Sequence, residues 1–472
     1  MARDIFFGFI FLFFSCKQSA THSENNQPDS SITNTAVIES AKDSFETGKV
    51  IDPVTNKTEP SQSFALYLPK NYSASNTYPV IYFFDSHASG RLPLDKYFSL
   101  ADEFKFILIG SNNSKNGMQP DALMNIANNL MNDAQKRFSI NPSRIYVAGF
   151  SGGARVAGMI AAQAPNIAGV IACSAGLQVN GENGIPYAVV GIAGKEDFNM
   201  TELAAMNKQL DGTDTDHQLL LFNGKHEWCP EATMRDAFLF LELNAMRWKN
   251  ADKNFKRMSE IRDKIEIAAH HAEYNHHYAD AASAYQTLIN YLKDLQDVSH
   301  YQKALDKIKQ NKNYQNEIAK QDQLNAQENQ LREHYMQSFG KEITWWKTEI
   351  SRINDEIKKQ GKSDEAFMLK RMLGSLSLAS YMQANSAINA NELDKANYIL
   401  QIYQLVDPTN SEAWYLSAKV HAKQGNKTIA LTEIKKAIEN GFKERERMMQ
   451  EVAFNSFTNE AEFIALLNHI HE

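Results

Sequence analysis

The sequence has no excess of positive charge. It contains 49 Lys and Arg against 56 Asp and Glu, which gives a formal net charge of −7 and a pI near 6.0. A nucleic-acid-binding surface usually needs a basic patch that neutralises phosphates, so we expect no nucleic-acid partner. The chain is also poor in cysteine, with three among 472 residues. Its length is sufficient for two or three domains with buried cores.

The N-terminal apolar run is short. Residues 5–14 are too few to span a bilayer as a stable helix, and they follow a weakly positive start, which is typical of a secretion signal. Ser15-Cys16 resembles a bacterial lipobox, which implies lipidation of Cys16 and membrane attachment by lipid alone; a signal peptide cut elsewhere is the alternative. We therefore expect a lipoprotein-type signal over 1–16 and a disordered polar tether over 17–45. The protein would be exported to a bacterial cell envelope, on a membrane face that the sequence leaves open.

The segment Gly149-Phe150-Ser151-Gly152-Gly153 matches the pattern G-x-S-x-G. It follows a strand-like apolar run and precedes a helix-like run. A serine on the tight turn between a buried strand and a helix is the nucleophile elbow of α/β-hydrolases, where small neighbours leave room for the turn. We predict that Ser151 is the nucleophile. The backbone N–H of Gly152, at the helix N-terminus, is predicted to hold the oxyanion.

Two later loops supply partners for Ser151, and each follows an apolar, strand-like run. The first loop contains Glu196 and Asp197, and the second contains His226. In α/β-hydrolases the chain order is Ser, then Asp or Glu, then His. The carboxyl ends of parallel strands share one edge of the sheet, where ligands bind. We predict that His226 accepts the serine proton and that Asp197 orients His226, with Glu196 as the alternative acid. A surface-turn position is the alternative for His226.

Two stretches resemble one branch of the α/β-hydrolases. Residues 141–157, NPSRIYVAGFSGGARVA, and residues 224–228, GKHEW, look like the elbow and the histidine loop of the polyhydroxybutyrate-depolymerase/feruloyl-esterase-like branch. The resemblance covers residues 60–248. It implies an esterase-type serine hydrolase with Ser151, Asp197 and His226 as its triad.

One loop departs from the pattern of that branch. There, His-Gly usually follows the early strand and supplies the oxyanion loop, whereas here DSHASG, residues 85–90, follows it. We predict that the second oxyanion donor is a backbone N–H of Ser86 or His87. Phe150 and Trp228 are predicted to line the substrate pocket, with core packing as the alternative for Trp228.

The composition changes after residue 248, where Ala, Lys, Glu, Gln and Leu dominate and the apolar spacing becomes helical. A 34-residue repeat relates Ala384, Ala396 and Leu400 to Ala418, Ala430 and Ile434. Residues 376–440 resemble tetratricopeptide repeats (TPRs), whose concave face commonly binds a peptide or protein. The resemblance implies a protein or peptide partner for this region, with a scaffold or dimer surface as the alternative. We predict a helical region over 249–375, with a partial TPR-like unit at 262–292 and a long helix or coiled-coil hairpin at 297–360, and TPR-like repeats with capping helices over 376–472.

The sequence thus predicts an α/β-hydrolase domain over 46–248, a mostly parallel sheet flanked by helices, followed by an all-α TPR-like domain. We expect a cell-envelope serine esterase that acts on acyl or feruloyl esters, including esters on carbohydrate, with no metal and no organic cofactor. Two alternatives are a TPR-based binding lipoprotein with a vestigial hydrolase domain and a serine peptidase with the same triad. Cys173 and Cys229 are interpreted as buried free cysteines, with a disulfide as the alternative.

Overall fold

The computed structural model describes residues 43–179 and 184–470. The predicted signal peptide over 1–16, the predicted lipidation site at Cys16 and nearly all of the predicted tether over 17–45 lie outside these residues. Within the two described ranges, no helix combines the length and the apolar character needed to cross a membrane.

An eight-stranded sheet forms the centre of the N-terminal half. In chain order the strands are β1 Val50–Thr55, β2 Ser63–Tyr67, β3 Tyr78–Phe84, β4 Ile107–Ser111, β5 Ile140–Phe150, β6 Ile167–Cys173, β7 Ala188–Gly194 and β8 His217–Phe222. Their order across the sheet is β1-β2-β4-β3-β5-β6-β7-β8. β2 pairs antiparallel with both of its neighbours, and the strands from β4 to β8 run parallel. This is an α/β-hydrolase fold, so the predicted fold class is confirmed.

Helices cover both faces of the sheet, and this explains why its parallel strands are apolar at successive positions. In β3, Val80 and Tyr82 belong to one core cluster, whereas Ile81 and Phe83 belong to another. The first cluster includes α2 Pro120–Arg137, α3 Gly152–Gln163 and α4 Met200–Leu210, and the second includes α1 Arg91–Phe104 and α5 Glu231–Arg247.

The chain after α5 is helical, as predicted. Its helices are α6 Phe255–Tyr274, α7 Tyr278–Leu292, α8 Ser299–Lys309, α9 Lys312–Gln337, α10 Ile343–Gln360, α11 Asp364–Asn389, α12 Leu393–Val406, α13 Ser411–Lys423, α14 Lys427–Glu439, α15 Arg445–Gln450 and α16 Ala461–Leu467. Apolar side chains of α6, α7 and α8 extend the core cluster that contains α1 and α5. The first of these helices therefore continue the hydrophobic core of the sheet.

The helices that carry the 34-residue repeat form two packed pairs, α11 with α12 and α13 with α14. All six repeated positions are fully buried, at 0% exposure: Ala384, Ala396, Leu400, Ala418, Ala430 and Ile434. Small or apolar residues at these positions let the paired helices approach closely. In the segment predicted as a long helix or coiled coil, α9 and α10 both pack against α11. The TPR assignment and the domain boundaries stay predictions.

Candidate active site

Ser151 lies in the sharp turn between β5 and α3. Its backbone has φ 54° and ψ −120°, a conformation that costs a non-glycine residue on the order of 1–3 kcal/mol. Two glycines make the turn sterically possible. A Cβ on Gly149 would lie 2.0 Å from the carbonyl oxygen of Gly153, and a Cβ on Gly153 would lie 1.9 Å from that of Phe84. The N–H of Ser151 donates to the carbonyl of Cys173 at 2.8 Å and anchors the turn to β6.

The imidazole of His226 lies between Ser151 and Asp197. Its Nε2 is 3.0 Å from Ser151 Oγ, and its Nδ1 is 2.9 Å from Asp197 Oδ1. In the tautomer that carries its proton on Nδ1, this N–H donates to the carboxylate and Nε2 accepts from the serine hydroxyl. The three residues follow the carboxyl ends of β5, β7 and β8. The parallel sheet therefore brings together the side chains that chain order suggested.

Asp197 is fully buried, with 0% exposure. Its Oδ1 also accepts the N–H of Asn199 at 2.9 Å, and its Oδ2 has no hydrogen-bond partner in the described part of the chain. Glu196 has a side chain that is 30% exposed, and its Oε1 lies 2.7 Å from Lys370 Nζ. The structure therefore places Asp197 beside His226 and turns Glu196 towards the helical segment.

The two residues predicted after β3 as oxyanion donors, Ser86 and His87, differ in whether their backbone N–H is free. The N–H of His87 donates to Asp85 Oδ1 at 2.8 Å, and the His87 side chain is 82% exposed. Among the described residues, no acceptor takes the N–H of Ser86. The N–H of Gly152 also lacks an acceptor there, as is usual in the first turn of a helix. Of the two donors predicted after β3, Ser86 is thus the one with a free N–H.

Asn116 is a residue at the site that motif matching misses. Its N–H donates to the carbonyl of Ser86 at 2.9 Å. Its side-chain amide covers Gly152, since a Cβ on Gly152 would lie 1.8 Å from Asn116 Oδ1. No described residue hydrogen-bonds to this amide, which leaves its N–H groups available. The sequence signal for Asn116 is its place after the carboxyl end of β4, the same rule that pointed to the loops of Asp197 and His226.

The family comparison agrees with this geometry. A family model described as "Putative esterase" matches residues 55–356. The chain belongs to this esterase family. It is an esterase, a hydrolase of carboxylic esters. No curated protein matches the esterase in sequence.

Several solved structures are similar to part of this esterase. A mutant of the feruloyl esterase module from Clostridium thermocellum, complexed with sinapinate, is 13% identical with a TM-score of 0.34, and the match covers 41% of this chain and 86% of that chain. S-formylglutathione hydrolase from Staphylococcus aureus is 15% identical with a TM-score of 0.32, over 38% and 90% of the two chains. FphF, a fluorophosphonate-binding serine hydrolase from the same organism, is 14% identical with a TM-score of 0.32, over 38% and 92%.

In the esterase, Trp228 connects the histidine loop to the segment after β3. Its Nε1–H donates to Asp85 Oδ2 at 2.8 Å, and its ring packs against Phe83 in the core with only 5% exposure. Phe150 is 9% exposed, and its ring lies 5.6 Å from that of Trp228 and 4.9 Å from that of His226. The contacts of Trp228 are those of a residue packed in the core, which was the alternative to a place in the substrate pocket. The pocket role of both residues stays a prediction.

The two described cysteines of the esterase, Cys173 and Cys229, are free and buried, as predicted. Burial raises the pKa of the Cys173 thiol well above its usual value. The hydroxyl of Tyr97 donates to the carbonyl of Cys229 at 2.7 Å. Within the described residues, no group of three or more His, Cys, Asp and Glu side chains is placed to hold a metal ion.

Proposed function

We propose that the esterase hydrolyses acyl or feruloyl esters through the triad Ser151, His226 and Asp197. The observation that carries the proposal is the hydrogen-bonded chain through one imidazole, 3.0 Å to the serine hydroxyl and 2.9 Å to the buried carboxylate. These separations are within the reach that a nucleophile, its general base and an orienting acid require.

In the first half of the reaction, Ser151 Oγ attacks the ester carbonyl carbon while His226 Nε2 takes the hydroxyl proton. The bond to the alcohol oxygen then breaks, His226 returns the proton to that oxygen, and the acyl group stays on Ser151. In the second half, water attacks the acyl carbon and gives a proton to His226. His226 passes the proton to Ser151 Oγ as the acid leaves. Asp197 stays ionised and stabilises the imidazolium that forms in each half.

The oxyanion of each tetrahedral intermediate would lie between the free N–H groups of Gly152 and Ser86. Neither N–H donates to an acceptor within the described part of the protein. Both can therefore donate to the oxyanion without first breaking another hydrogen bond. The amide of Asn116 covers Gly152 with Oδ1 as its nearer atom, and no described residue bonds its NH2 group, so rotation of the amide about its last bond would turn Nδ2 to the oxyanion as a third donor. The N-terminus of α3 contributes partial positive charge at the same place.

The substrate class rests on the resemblance of residues 141–157 and 224–228 to the polyhydroxybutyrate-depolymerase/feruloyl-esterase-like branch. That resemblance supports acyl or feruloyl esters, including those on carbohydrate. The lipobox-like Ser15-Cys16 supports a lipid-anchored enzyme in a bacterial cell envelope. The two buried helix pairs over residues 376–440 support a TPR-like surface for a protein or peptide partner.

The test is a substrate panel with wild-type protein and Ser151→Ala. The panel contains p-nitrophenyl esters of graded acyl length, methyl ferulate, acetylated sugars and peptide p-nitroanilides. We expect the wild type to hydrolyse esters and to react with a fluorophosphonate probe, and Ser151→Ala to do neither. Hydrolysis of the anilides alone would make the protein a peptidase. A folded wild type that is inert to substrates and probe would favour the binding-protein alternative.

A further inference from the structure

Two arginines of the helical segment hold the loop that carries Asp197. We define the acid loop as residues 195–199. Arg371 of α11 donates from Nη1 to the carbonyl of Lys195 at 2.8 Å, and Arg332 of α9 donates from Nη2 to the carbonyl of Phe198 at 2.8 Å. The two carbonyls lie on either side of Asp197. Helices that come well after the hydrolase sequence thus hold both flanks of the buried carboxylate.

Glu328 of α9 joins the two arginines. Its carboxylate is 0% exposed, and its Oε2 accepts from Arg371 Nε at 2.9 Å and from Arg371 Nη2 at 2.6 Å. Its Oε1 accepts from Arg332. The Arg371 side chain is only 4% exposed. A planar guanidinium that binds a carboxylate at two of its nitrogens has one orientation, so the third nitrogen of Arg371 is aimed at the acid loop.

Apolar contacts and a surface ion pair also connect α11 to the acid loop. A Cβ on Gly374 of α11 would lie 3.2 Å from Cδ1 of Phe198, so α11 packs directly on that ring. The Phe198 ring in turn stacks on the imidazole of His226. At the more exposed side, Lys370 pairs with Glu196 at 2.7 Å. Every member of the acid loop from 195 to 198 therefore contacts the helical segment or a triad residue.

We infer that Glu328, Arg332 and Arg371 are positioning residues of the esterase, and that α9 and α11 belong to its catalytic unit. This rests on the proposed triad. None of the three touches the reacting atoms; they act through the acid loop, whose carbonyls they fix from outside. Loops at the edge of a sheet are otherwise the mobile part of such a fold. The doubly hydrogen-bonded pair of Arg371 and Glu328 is buried and holds one geometry, and the 2.9 Å contact between Asp197 and His226 depends on that geometry.

The main test is Arg371→Met in the full chain, which keeps the length of the side chain and removes all its hydrogen bonds. A displacement of a catalytic group by about 1 Å can cost about 10²-fold in rate. We expect kcat for a small p-nitrophenyl ester to fall by about 10- to 100-fold with KM changed by less than about 3-fold. The matched control is Arg447→Met. Arg447 forms an ion pair with Glu412 at 2.6 Å, elsewhere in the helical segment, and the substitution breaks this pair. We expect Arg447→Met to leave kcat unchanged.

A spectroscopic readout separates positioning from general destabilisation. The proton on His226 Nδ1, hydrogen-bonded to Asp197, should give a downfield ¹H resonance that is lost in Asp197→Asn. We expect this resonance to shift or broaden in Arg371→Met and to stay in place in Arg447→Met. A folded Arg371→Met protein with wild-type kcat and an unmoved resonance overturns the inference.

A second variant covers the case in which Arg371→Met does not fold. Arg371→Lys keeps a positive charge beside Glu328, but one ammonium cannot bind the carboxylate and the Lys195 carbonyl in the same geometry as the guanidinium. We expect a folded enzyme with a loss in kcat of about 3- to 10-fold; wild-type kcat in Arg371→Lys overturns the inference. A different result would show that the proposed triad is wrong. In that case Ser151→Ala would keep wild-type activity, whatever the activity of the arginine variants.

Discussion

Phe198 stacks on the imidazole of His226, with ring centroids 4.2 Å apart and an interplanar angle of 23°. Phe198 directly follows Asp197, whose carboxylate binds the same imidazole in its plane. One short loop therefore supplies both an in-plane hydrogen bond and a face contact. Rotation of the imidazole out of the line between Ser151 and Asp197 would break both interactions.

Asp197 and Glu196 should differ sharply in their effect on turnover. Asp197→Asn removes the charge that stabilises the imidazolium and changes the tautomer preference of His226. We expect turnover to fall by about 10⁴-fold, the scale known for a lost triad carboxylate. Glu196→Gln removes a half-exposed ion pair and should change turnover by less than about 3-fold. Steady-state kinetics on one p-nitrophenyl ester measures both variants, and the opposite ranking would mean that Glu196 is the catalytic acid.

Two inactive variants of Ser151 should differ in stability. Ser151→Ala keeps a Cβ at φ 54°, whereas Ser151→Gly removes it. Relief of the backbone strain exceeds the extra entropy of glycine in the unfolded chain, so we expect the free energy of unfolding of Ser151→Gly to be higher by about 1 kcal/mol. Urea denaturation followed by circular dichroism measures the difference. Equal stability of the two variants would show that the strain relieved in the turn is no larger than the entropy that glycine adds to the unfolded chain.

Asn116 should affect kcat more than KM. If its amide donates to the oxyanion, Asn116→Ala should lower kcat by about 10²-fold with little change in KM, because the hydrogen bond strengthens in the transition state. The side chain is exposed, so the thermal midpoint should not move. Gln119→Ala, an exposed change on the same loop, is the control. A rise in KM with an unchanged kcat would instead assign Asn116 to substrate binding.

Cys173 and Cys229 should be unreactive in the folded protein. Both are buried and free, so reagents have no access to them. Burial also raises the pKa of the Cys173 thiol, whereas for the Cys229 thiol burial is outweighed by hydrogen bonds with Cys173 and Tyr97, which lower its pKa, so Cys229 is protected by burial alone. We expect iodoacetamide at pH 8 to label neither residue until urea unfolds the chain, and dithiothreitol to leave activity unchanged. Peptide mapping by mass spectrometry locates the label. A disulfide-linked peptide from the native protein would contradict this expectation.

The local sequence was sufficient to predict that Ser151, Asp197 and His226 meet at one edge of the sheet. The elbow at Ser151 has a fixed pattern of small residues, because the chain reverses there within a few residues. Asp197 follows β7, which is buried at every position, and His226 follows β8, an edge strand that is partly buried. Both strands are apolar runs, so the end of each run marks where the edge begins. The 34-residue repeat likewise predicted which small or apolar residues are buried between helices that are adjacent in the chain.

Contacts between distant segments could not be predicted in this way. Arg371 and Glu328 are charged residues on helices, and a charged residue on a helix usually faces solvent. They are buried because α9 and α11 pack against the acid loop. The spacing of apolar residues within one helix does not predict such a contact with a distant segment. Asn116 was missed for a related reason. Its role depends on a loop from β4 reaching the elbow after β5, and its neighbours form no recognised motif.

The acid loop is synthesised long before the arginines that hold it. Arg332 and Arg371 follow their partners in the loop by 134 and 176 positions along the chain. N-terminal segments generally fold first during translation, so the sheet can form while the carbonyls of Lys195 and Phe198 still face water. We expect ribosome-bound chains stalled before α9 emerges to react slowly with a fluorophosphonate, and chains stalled after α11 emerges to react at the mature rate. The order in which the chain emerges, from a ribosome in vitro or from the membrane during export, would then determine when the enzyme becomes active.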